Sequence, residues 1–379
     1  VLGGTGYVAG ELLRLVGQHP GLELAGVSSE SQAGTTVSAA FPHLAPVISD
    51  LPFVTQAELT ARIRGPRVAL FSAAPHVVSA GVVAAMVKAA EASGSRLTVV
   101  DASSDFRFRN AADFEAVYKQ PHGAPGLLPR FTCALPEHVT GIPGPHVGHP
   151  GCFATSMLAG LVPLLKLGLA EGPVYASGIT GSTGAGRTPI ATTHHPERHS
   201  NLFAYNPLKH RHAPEVVQIC RELTGVAPEL NFVPHAGPFA RGIHMTLQGH
   251  LARSQTSDQL REAFAKFYAG QVFVRVVDGA PRVKDVAGSN YLHIGAATSG
   301  DGRSFVVLVT IDNLVKGAAG GAVQWMNRLL GLPESAGLTA EVAQGDAQQA
   351  GGQLDALGVA ADPEQLLGDP AWHFERRRM

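Results

Sequence analysis

The chain opens with a glycine-rich turn between the end of an apolar strand and an amphipathic helix. Residues 1–31 read VLGGTGYVAGELLRLVGQHPGLELAGVSSES, so a second apolar stretch, LELAGVSS, follows the helix. A turn of this kind lets an anion approach the backbone N–H groups at the N-terminus of a helix. This feature constrains the fold most, because it predicts a βαβ unit that begins a parallel, doubly wound sheet.

The segments that follow continue the alternation of strands and helices. Apolar runs occur at VALFSAA (68–74) and LTVVDAS (97–103), with a helical stretch at 79–94 between them. This order is typical of a parallel sheet covered by helices on both faces. We therefore predict an α/β, Rossmann-type domain that binds NAD(P) over residues 1–150.

The pattern changes after Cys152. A helix of about four turns is followed by several strands with few helices between them, which predicts an α+β domain with a mixed sheet over residues 151–315. We expect this domain to carry catalysis and oligomerisation, and a helix over 316–332 to pack back on the first domain. Residues 339–379 are rich in Ala, Gln, Gly and Asp, and we expect a loosely docked tail there.

Charge and cysteine content exclude several classes of protein. Lys plus Arg number 29 against 30 Asp plus Glu in 379 residues, a net charge of -1 that indicates neither a nucleic-acid nor a membrane partner. Three cysteines do not make a disulfide framework, and neither a stretch of about 18 or more apolar residues nor a signal peptide is evident, so we predict a cytoplasmic protein. The chain starts without methionine, and we expect the first strand to continue upstream of Val1.

The end of the second strand bears on the choice of dinucleotide. Ser28 and Ser29 are small hydroxyl residues that suit the 2'-phosphate of NADP, whereas the acidic Glu30 suits the ribose hydroxyls of NAD. The residues alone leave both cofactors open.

Cys152 lies in GHPGCFATS, directly before the predicted helix. A helix N-terminus lowers the pKa of a thiol and favours the thiolate, which attacks carbonyl groups. Taken alone, a cysteine is more often a small buried hydrophobe, and Cys133 and Cys220 in apolar stretches fit that role. The glycine and small polar neighbours of Cys152 favour a nucleophile.

Histidines and arginines supply candidate partners for the thiol. The chain has 17 histidines, and five of them cluster in HHPERHSNLFAYNPLKHRHAPE: His194, His195, His199, His210 and His212. No Cys or carboxylate joins this cluster at a metal-ligand spacing, so we predict no metal site. Arg107, Arg187 and Arg241 lie in sparsely charged segments and could bind a carboxylate or phosphate through the planar guanidinium.

Taken together, these motifs resemble the N-acetyl-gamma-glutamyl-phosphate reductases of arginine biosynthesis, which belong to the aspartate-semialdehyde dehydrogenase superfamily. The resemblance covers residues 1–338. Its motifs, in chain order, are GGTGYVAGEL, DASSDFRF, ALPE, HPGCFATS, GSTGAGR, HRHAPE, FARGI, GSNYLHIG, IDNLVKGAAGGAVQ and GLPE.

The resemblance implies an activity and a set of site residues. The activity is NADPH-dependent reduction of N-acetyl-glutamyl 5-phosphate to the 5-semialdehyde, through a thioester on Cys152. His210 would act as general acid or base and as the imidazolium partner of the thiolate. The implied substrate contacts are Arg107, Arg187, Arg241 and His212, the last also being the alternative catalytic histidine. The implied cofactor contacts are Gly3, Thr5, Gly6, Tyr7, Val8, Ser28, Ser29, Ser182, Gly184, Ala185, Gly186 and Asn313.

The resemblance also implies a homo-dimer or homo-tetramer, with the acyl phosphate and inorganic phosphate as small-molecule partners. One departure concerns the pocket, because the family commonly has Tyr-Pro-Thr after the cysteine and this chain has Phe153-Ala154-Thr155. Two alternatives remain. The stretch around the clustered histidines is also similar to a lysine-biosynthesis relative that reduces a carrier-protein-bound aminoadipyl phosphate. A catalytically inactive dinucleotide-binding sensor would keep the same fold.

Overall fold

A computed structural model of the chain describes residues 1–48 and 50–339. The α-helices are α1 (Tyr7–Gly17), α2 (Val37–Ala40), α3 (Gln56–Ala61), α4 (Ser79–Ser93), α5 (Ala111–Tyr118), α6 (Cys152–Lys166), α7 (His195–Arg198), α8 (His212–Thr224), α9 (Ser257–Phe267) and α10 (Gly320–Leu330). The strands are β1 (Val27–Ser28), β2 (Phe53–Val54), β3 (Arg67–Ser72), β4 (Arg96–Asp101), β5 (Phe131–Thr132), β6 (His146–Gly148), β7 (Ala170–Thr180), β8 (Phe203–Ala204), β9 (Leu230–Ala236), β10 (Ile243–Leu251), β11 (Val274–Val276), β12 (Leu292–Thr298) and β13 (Ser304–Ile311).

The first part of the chain forms parallel sheets. Strands β3, β4, β6 and β5 lie side by side in that order and all run parallel, while β1 pairs with β2 in a separate parallel ladder. The predicted strand LELAGVSS is shorter than expected, since only Val27 and Ser28 pair. At the start of the chain, Leu2 makes a single parallel bridge with Ser72.

The second sheet is mixed. Its seven strands follow the order β11-β12-β13-β10-β7-β9-β8, in which β7 pairs parallel with β9, β11 pairs parallel with β12, and the other neighbours are antiparallel. The predicted α/β fold, with a parallel sheet followed by a mixed sheet, is confirmed.

Helix α6 is the centre of the larger hydrophobic core. Every residue from Phe153 to Leu164 is buried, and Gly160 lets the helix approach β10 so closely that a side chain there would collide with Leu247. This packing holds the N-terminus of α6, and with it Cys152, at a fixed place beside the mixed sheet.

The end of the described chain returns to the first sheet. Residues Val315–Ala319 form a π-helical turn that continues into α10, where a single helix over 316–332 was expected. Helix α10 packs on α1 and β4, and the buried Trp325 donates its indole N–H to the carbonyl oxygen of Ala134 at 2.9 Å. The tail predicted over 339–379 lies outside the described residues, apart from Thr339. Within residues 1–48 and 50–339, no helix is long and apolar enough to cross a membrane.

Candidate active site

Cys152 is the first residue of α6, and Gly151 is the N-cap in an extended conformation. The Gly151 N–H donates to the carboxylate of Glu215, which is fully buried on α8, at 2.7 Å. A side chain at position 151 would collide with the His212 ring and the Arg107 guanidinium. Glycine is therefore required here, and Glu215 orients the peptide that precedes the thiol.

The π-helical turn packs against Cys152 from the other side. A Cβ on Gly317 would lie 2.7 Å from the Cβ of Cys152, closer than real Cβ contacts come. A π-turn of this kind often occurs at functional sites, because it displaces the backbone locally. The small residue at 317 thus lets the chain of the last helix touch the Cys152 backbone.

The two histidines of HRH lie next to each other beside α6. The rings of His210 and His212 are 4.7 Å apart, and the His212 backbone N–H donates to Nδ1 of His210 at 3.2 Å. Both rings contact the ring of Phe153, at 5.6 Å for His210 and 6.3 Å for His212. Phe153, one of the two residues that depart from the family pattern, therefore packs directly against both candidate bases.

The protonation states differ from the sequence-based expectation. Burial raises the pKa of the Cys152 thiol, and neither the Arg107 guanidinium nor the Phe153 N–H offsets it, so the predicted lowering at the helix N-terminus is wrong. Burial, with Arg211 nearby, lowers the pKa of His210 to about 4, and burial together with His210 lowers that of His212 well below its usual value. The free site therefore holds a neutral thiol and neutral imidazoles, so an imidazolium partner for the thiolate forms only when a histidine takes the Cys152 proton.

Arg107 lies under the site and is almost completely buried. Its guanidinium donates to the carbonyl oxygens of His149 and Ala102, each at 2.9 Å, and forms an ion pair with Glu215 at 3.3 Å. Burial disfavours the charged guanidinium, but the Glu215 carboxylate together with Tyr118, Cys133 and Asp101 outweighs this effect and raises the pKa of Arg107. Glu215 was not among the predicted site residues, although it contacts both Arg107 and Gly151.

The other two predicted arginines lie elsewhere. Arg241 is held by the carboxylates of Asp312, at 3.0 Å, and Glu11, at 2.6 Å, so its donors are directed at internal anions. Arg187 crosses to the glycine-rich turn, where it donates to the carbonyl oxygen of Thr5 at 3.1 Å, and it also donates to the carbonyl oxygen of Ala40 on α2 at 3.1 Å. The structure thus brings Arg107 to the Cys152 cluster and Arg187 to the predicted cofactor loop.

The glycine-rich turn fits a dinucleotide phosphate. Gly3 has φ of +70°, and a Cβ there would meet the Ala73 carbonyl oxygen at 2.6 Å, so only glycine makes this turn. Within the described residues, no side chain caps α1, which leaves the N–H groups at Tyr7 and Val8 without a side-chain acceptor. Space beside Gly6 is open, and a pyrophosphate would fit there.

The remaining predicted cofactor residues form two further groups. Ser28 and Ser29 are buried at the end of β1, and the Ser28 hydroxyl has no hydrogen-bond partner in the described part of the chain. Glu30 accepts the Gln56 N–H at 2.7 Å and so caps α3. The turn Ser182–Ala185, followed by Gly186, is tied to Asn313 through Thr183, whose hydroxyl accepts the Asn313 amide at 3.0 Å.

A cavity of about 430 Å³ opens beside His210. Residues from the turn after β7, the histidine-rich loop and the loop before α8 line it. The residues that the sequence prediction did not include are Thr180, Gly181, Ile190, Thr192, Thr193, Arg198, Phe203, Tyr205, Asn206, Lys209, Arg211 and Ala236. In the clustered stretch, the His195 and His199 rings lie 5.1 Å apart, and the described residues contain no group of three His, Cys, Asp or Glu side chains placed to hold a metal ion.

Comparison with known proteins agrees with this architecture. Two protein-family models match: "Semialdehyde dehydrogenase, NAD binding domain" over residues 1–139 and "Semialdehyde dehydrogenase, dimerisation domain" over residues 152–313. Among solved structures, aspartate semialdehyde dehydrogenase II from Vibrio cholerae, complexed with ASA, has a TM-score of 0.62 at 17% identity, covering 87% of this chain and 96% of that one. The Candida albicans enzyme with NADP has a TM-score of 0.62 at 16% identity, covering 87% and 97%. These distant structures share the fold.

Curated relatives are closer in sequence. An N-acetyl-gamma-glutamyl-phosphate reductase from Dehalococcoides mccartyi (strain CBDB1) is 38% identical, covering 89% of this chain and 95% of the relative. Those from Symbiobacterium thermophilum and Ectopseudomonas mendocina are 38% and 40% identical, covering 89% of this chain and 96% and 97% of the relatives. The chain therefore belongs to the semialdehyde dehydrogenases and, within them, to the N-acetyl-gamma-glutamyl-phosphate reductase family.

Proposed function

We propose that the protein reduces N-acetyl-glutamyl 5-phosphate to N-acetyl-glutamate 5-semialdehyde with NADPH. The observation that carries this proposal is the cluster at the N-terminus of α6, where Cys152 lies beside the π-turn and two neutral histidines pack on the next residue. The names of the relatives support the same substrate.

The chemistry begins with proton transfer from the thiol. Because His210 is neutral at physiological pH, it can accept the Cys152 proton as a general base, with His212 as the alternative. The thiolate then attacks the acyl carbonyl, a sulfur–carbon bond forms, and the carbon–oxygen bond to phosphate breaks. The products of this half-reaction are a thioester on Cys152 and inorganic phosphate, which takes up a proton from solvent.

The protein supports the second half-reaction in two ways. Bound NADPH supplies the hydride that reduces the thioester carbonyl. We propose that the glycine-rich turn with the N-terminus of α1 holds its pyrophosphate, and that the Ser182–Ala185 turn with Asn313 holds the nicotinamide end. The N–H groups at the start of α6 would stabilise the negative charge on the carbonyl oxygen. Cys152 then leaves as a thiolate, takes back its proton from the histidine, and the aldehyde departs.

We further propose that the open face of the mixed sheet forms a homo-oligomer interface. One face of β7 is buried, whereas Tyr175 on the other is more than half exposed, and Ile179, Val306 and Leu308 share that outward face. The match to a dimerisation domain supports this proposal. Sedimentation of wild type and Tyr175→Glu would test it, since the charge should raise the dissociation constant of the oligomer. A cytoplasmic location remains a prediction from the sequence.

The reverse reaction tests the function. Wild type should reduce NADP when given N-acetyl-glutamate semialdehyde and phosphate, and Cys152→Ser should not, whereas Cys220→Ala, which changes a buried cysteine on α8, should stay active. A parallel series with NAD tests the choice of cofactor. Because the Ser28 and Ser29 pair favours NADP, we expect turnover to be faster with NADP than with NAD. If wild type ignores the free aldehyde, the substrate assignment fails and the carrier-bound alternative takes its place.

A further inference from the structure

A substrate with a carboxylate and a phosphate requires cationic partners, and the three arginines predicted from the sequence are already engaged. Arg107 and Arg241 form ion pairs with internal carboxylates, and Arg187 holds carbonyl oxygens of the glycine-rich turn and of α2. A further cation that lines the cavity beside His210 is Arg198, the last residue of α7.

Arg198 is nine-tenths buried, and only part of its guanidinium is hydrogen-bonded. Its Nη2 donates to the Thr180 carbonyl oxygen at 3.1 Å, and the guanidinium lies over the Phe203 ring at 5.7 Å. Its Nε has no partner among the described residues, and no carboxylate in that part of the chain forms an ion pair with it. Burial lowers the pKa of Arg198, in contrast to Arg107 and Arg241, whose carboxylate partners raise theirs.

The cavity around Arg198 carries positive charge only. Its described lining residues include Arg198, Lys209 and Arg211 but no Asp or Glu. Lys209 is exposed. Nη2 of Arg211 lies 3.2 Å from Nε2 of His76, and the Arg211 guanidinium lies over the Tyr118 ring. Arg198 is therefore the buried, uncompensated cation of the cavity. A buried charge is costly without a counter-ion, and a bound anionic group would remove that cost.

Tyr205 and His210 line the same cavity as Arg198, on the side of Phe153, the neighbour of Cys152. The Tyr205 ring packs on His210 at 5.8 Å, and its hydroxyl is near enough to both Cys152 and Arg198 for their charges to act on its pKa. His210 in turn contacts Phe153, the neighbour of Cys152, at 5.6 Å. Because Arg198 and His210 both line the cavity, a ligand there can contact both, and His210 packs on the residue next to Cys152.

We propose that Arg198 binds the α-carboxylate of the substrate while the acyl phosphate faces Cys152. This inference rests on the proposed function and adds a specificity determinant to it. The planar guanidinium suits a carboxylate, which it can bind through two parallel hydrogen bonds. The site should therefore select acyl compounds that carry a carboxylate at the far end of the chain, and reject the same compounds without it.

The test compares two aldehydes that differ only in this carboxylate. N-acetyl-glutamate semialdehyde carries it, and 4-acetamidobutanal lacks it. Wild type should prefer the first by roughly 100-fold in kcat/KM, because removing one partner of a buried charge pair weakens binding by about that factor. Arg198→Met should lose the preference, with the loss confined to the carboxylated substrate. Arg198→Lys should keep part of it. Arg253→Met, which removes an exposed arginine outside the cavity, should match wild type.

A binding titration and the KM for phosphate separate the outcomes. Calorimetric titration with N-acetyl-L-glutamate reports binding without turnover, and Arg198→Met should weaken it roughly 100-fold. If wild type turns over neither aldehyde but shows this difference, the proposed function fails and the Arg198 assignment stands. Equal preference in wild type and Arg198→Met, no binding of N-acetyl-L-glutamate by wild type, or an effect of Arg198→Met only on the KM for phosphate would each overturn the assignment.

Discussion

Glu137→Gln is the most direct test of how the π-turn beside Cys152 is held. Lys316, in that turn, is fully buried, and its Nζ donates to Glu137 at 2.5 Å and to Gln324 at 2.8 Å. Burial alone would raise the pKa of the Glu137 carboxyl, but Lys316 and the hydrogen bonds of the network outweigh it and lower the pKa. The Glu137 carboxyl is therefore ionised at neutral pH, and the substitution leaves Lys316 without its counter-ion.

The size of the effect follows from the burial of both groups. Removing one partner of a buried ion pair costs about 3–5 kcal/mol of unfolding free energy. At roughly 2.1 cal/mol/K of unfolding entropy per residue, the 379 residues give about 0.8 kcal/mol/K, so the Tm should fall by about 4–6 °C. Because the folded-state pKa of Glu137 is lowered, its contribution is complete above the unfolded-state pKa of about 4.3. The contribution is lost as the pH falls through the folded-state value, so the difference between the proteins should shrink in acid.

Scanning calorimetry at pH 7 measures the effect, with Glu91→Gln as the matched control. Glu91 pairs with Arg130 at 2.9 Å, but both side chains are substantially exposed, so its loss should change stability by less than about 1 kcal/mol. The double variant Lys316→Met, Glu137→Met should recover much of the loss, since an apolar pair of similar volume needs no counter-ion. If Glu137→Gln melts within 1 °C of Glu91→Gln, at roughly the precision of such scans, a buried ion pair with Glu137 does not hold the π-turn.

Three further predictions concern the site itself. Gly317→Ala should lower kcat about 10- to 100-fold by displacing Cys152, because its Cβ would lie 2.7 Å from that of the cysteine; an unchanged kcat would contradict this close contact. The rate of Cys152 alkylation by iodoacetamide should keep rising with pH beyond about 9, because burial raises the pKa of the thiol, and a plateau near pH 7 would show a free thiolate instead. Arg187→Ala should raise the KM for NADPH about 10-fold with kcat nearly unchanged, since the guanidinium no longer holds the Thr5 carbonyl oxygen. A KM equal to that of wild type would remove Arg187 from the cofactor loop.

Local features of the fold could be predicted from the sequence. The glycine-rich turn, the helix that starts at Cys152 and the long strands of the mixed sheet depend on residues that are close together in the chain. The strand expected at LELAGVSS is shorter, because pairing depends on a neighbour strand and not on the apolar run itself.

Long-range partners could not be predicted. The bond between Gly151 and Glu215 spans 64 residues, and the ion pair of Arg107 with Glu215 spans 108. The sequence therefore identified three arginines by type, without indicating that internal groups already hold them. Arg198 could not be singled out from the sequence, because its burial without a carboxylate partner is visible only in three dimensions.

Protonation states were missed for the same reason. A helix N-terminus is a local feature that lowers the pKa of a thiol, whereas burial by distant segments is not local, and at Cys152 burial prevails. The same holds for His210, whose neutral state follows from burial and from Arg211 nearby.

The proposed mechanism passes through a thioester on Cys152. Mass spectrometry of the protein, incubated with N-acetyl-glutamyl phosphate in the absence of NADPH and quenched in acid, tests it most directly. We predict one N-acetyl-glutamyl group on the peptide that contains Cys152, lost on treatment with hydroxylamine and absent from Cys152→Ser. An unmodified Cys152 in protein that turns over the same acyl phosphate once NADPH is added would contradict the account.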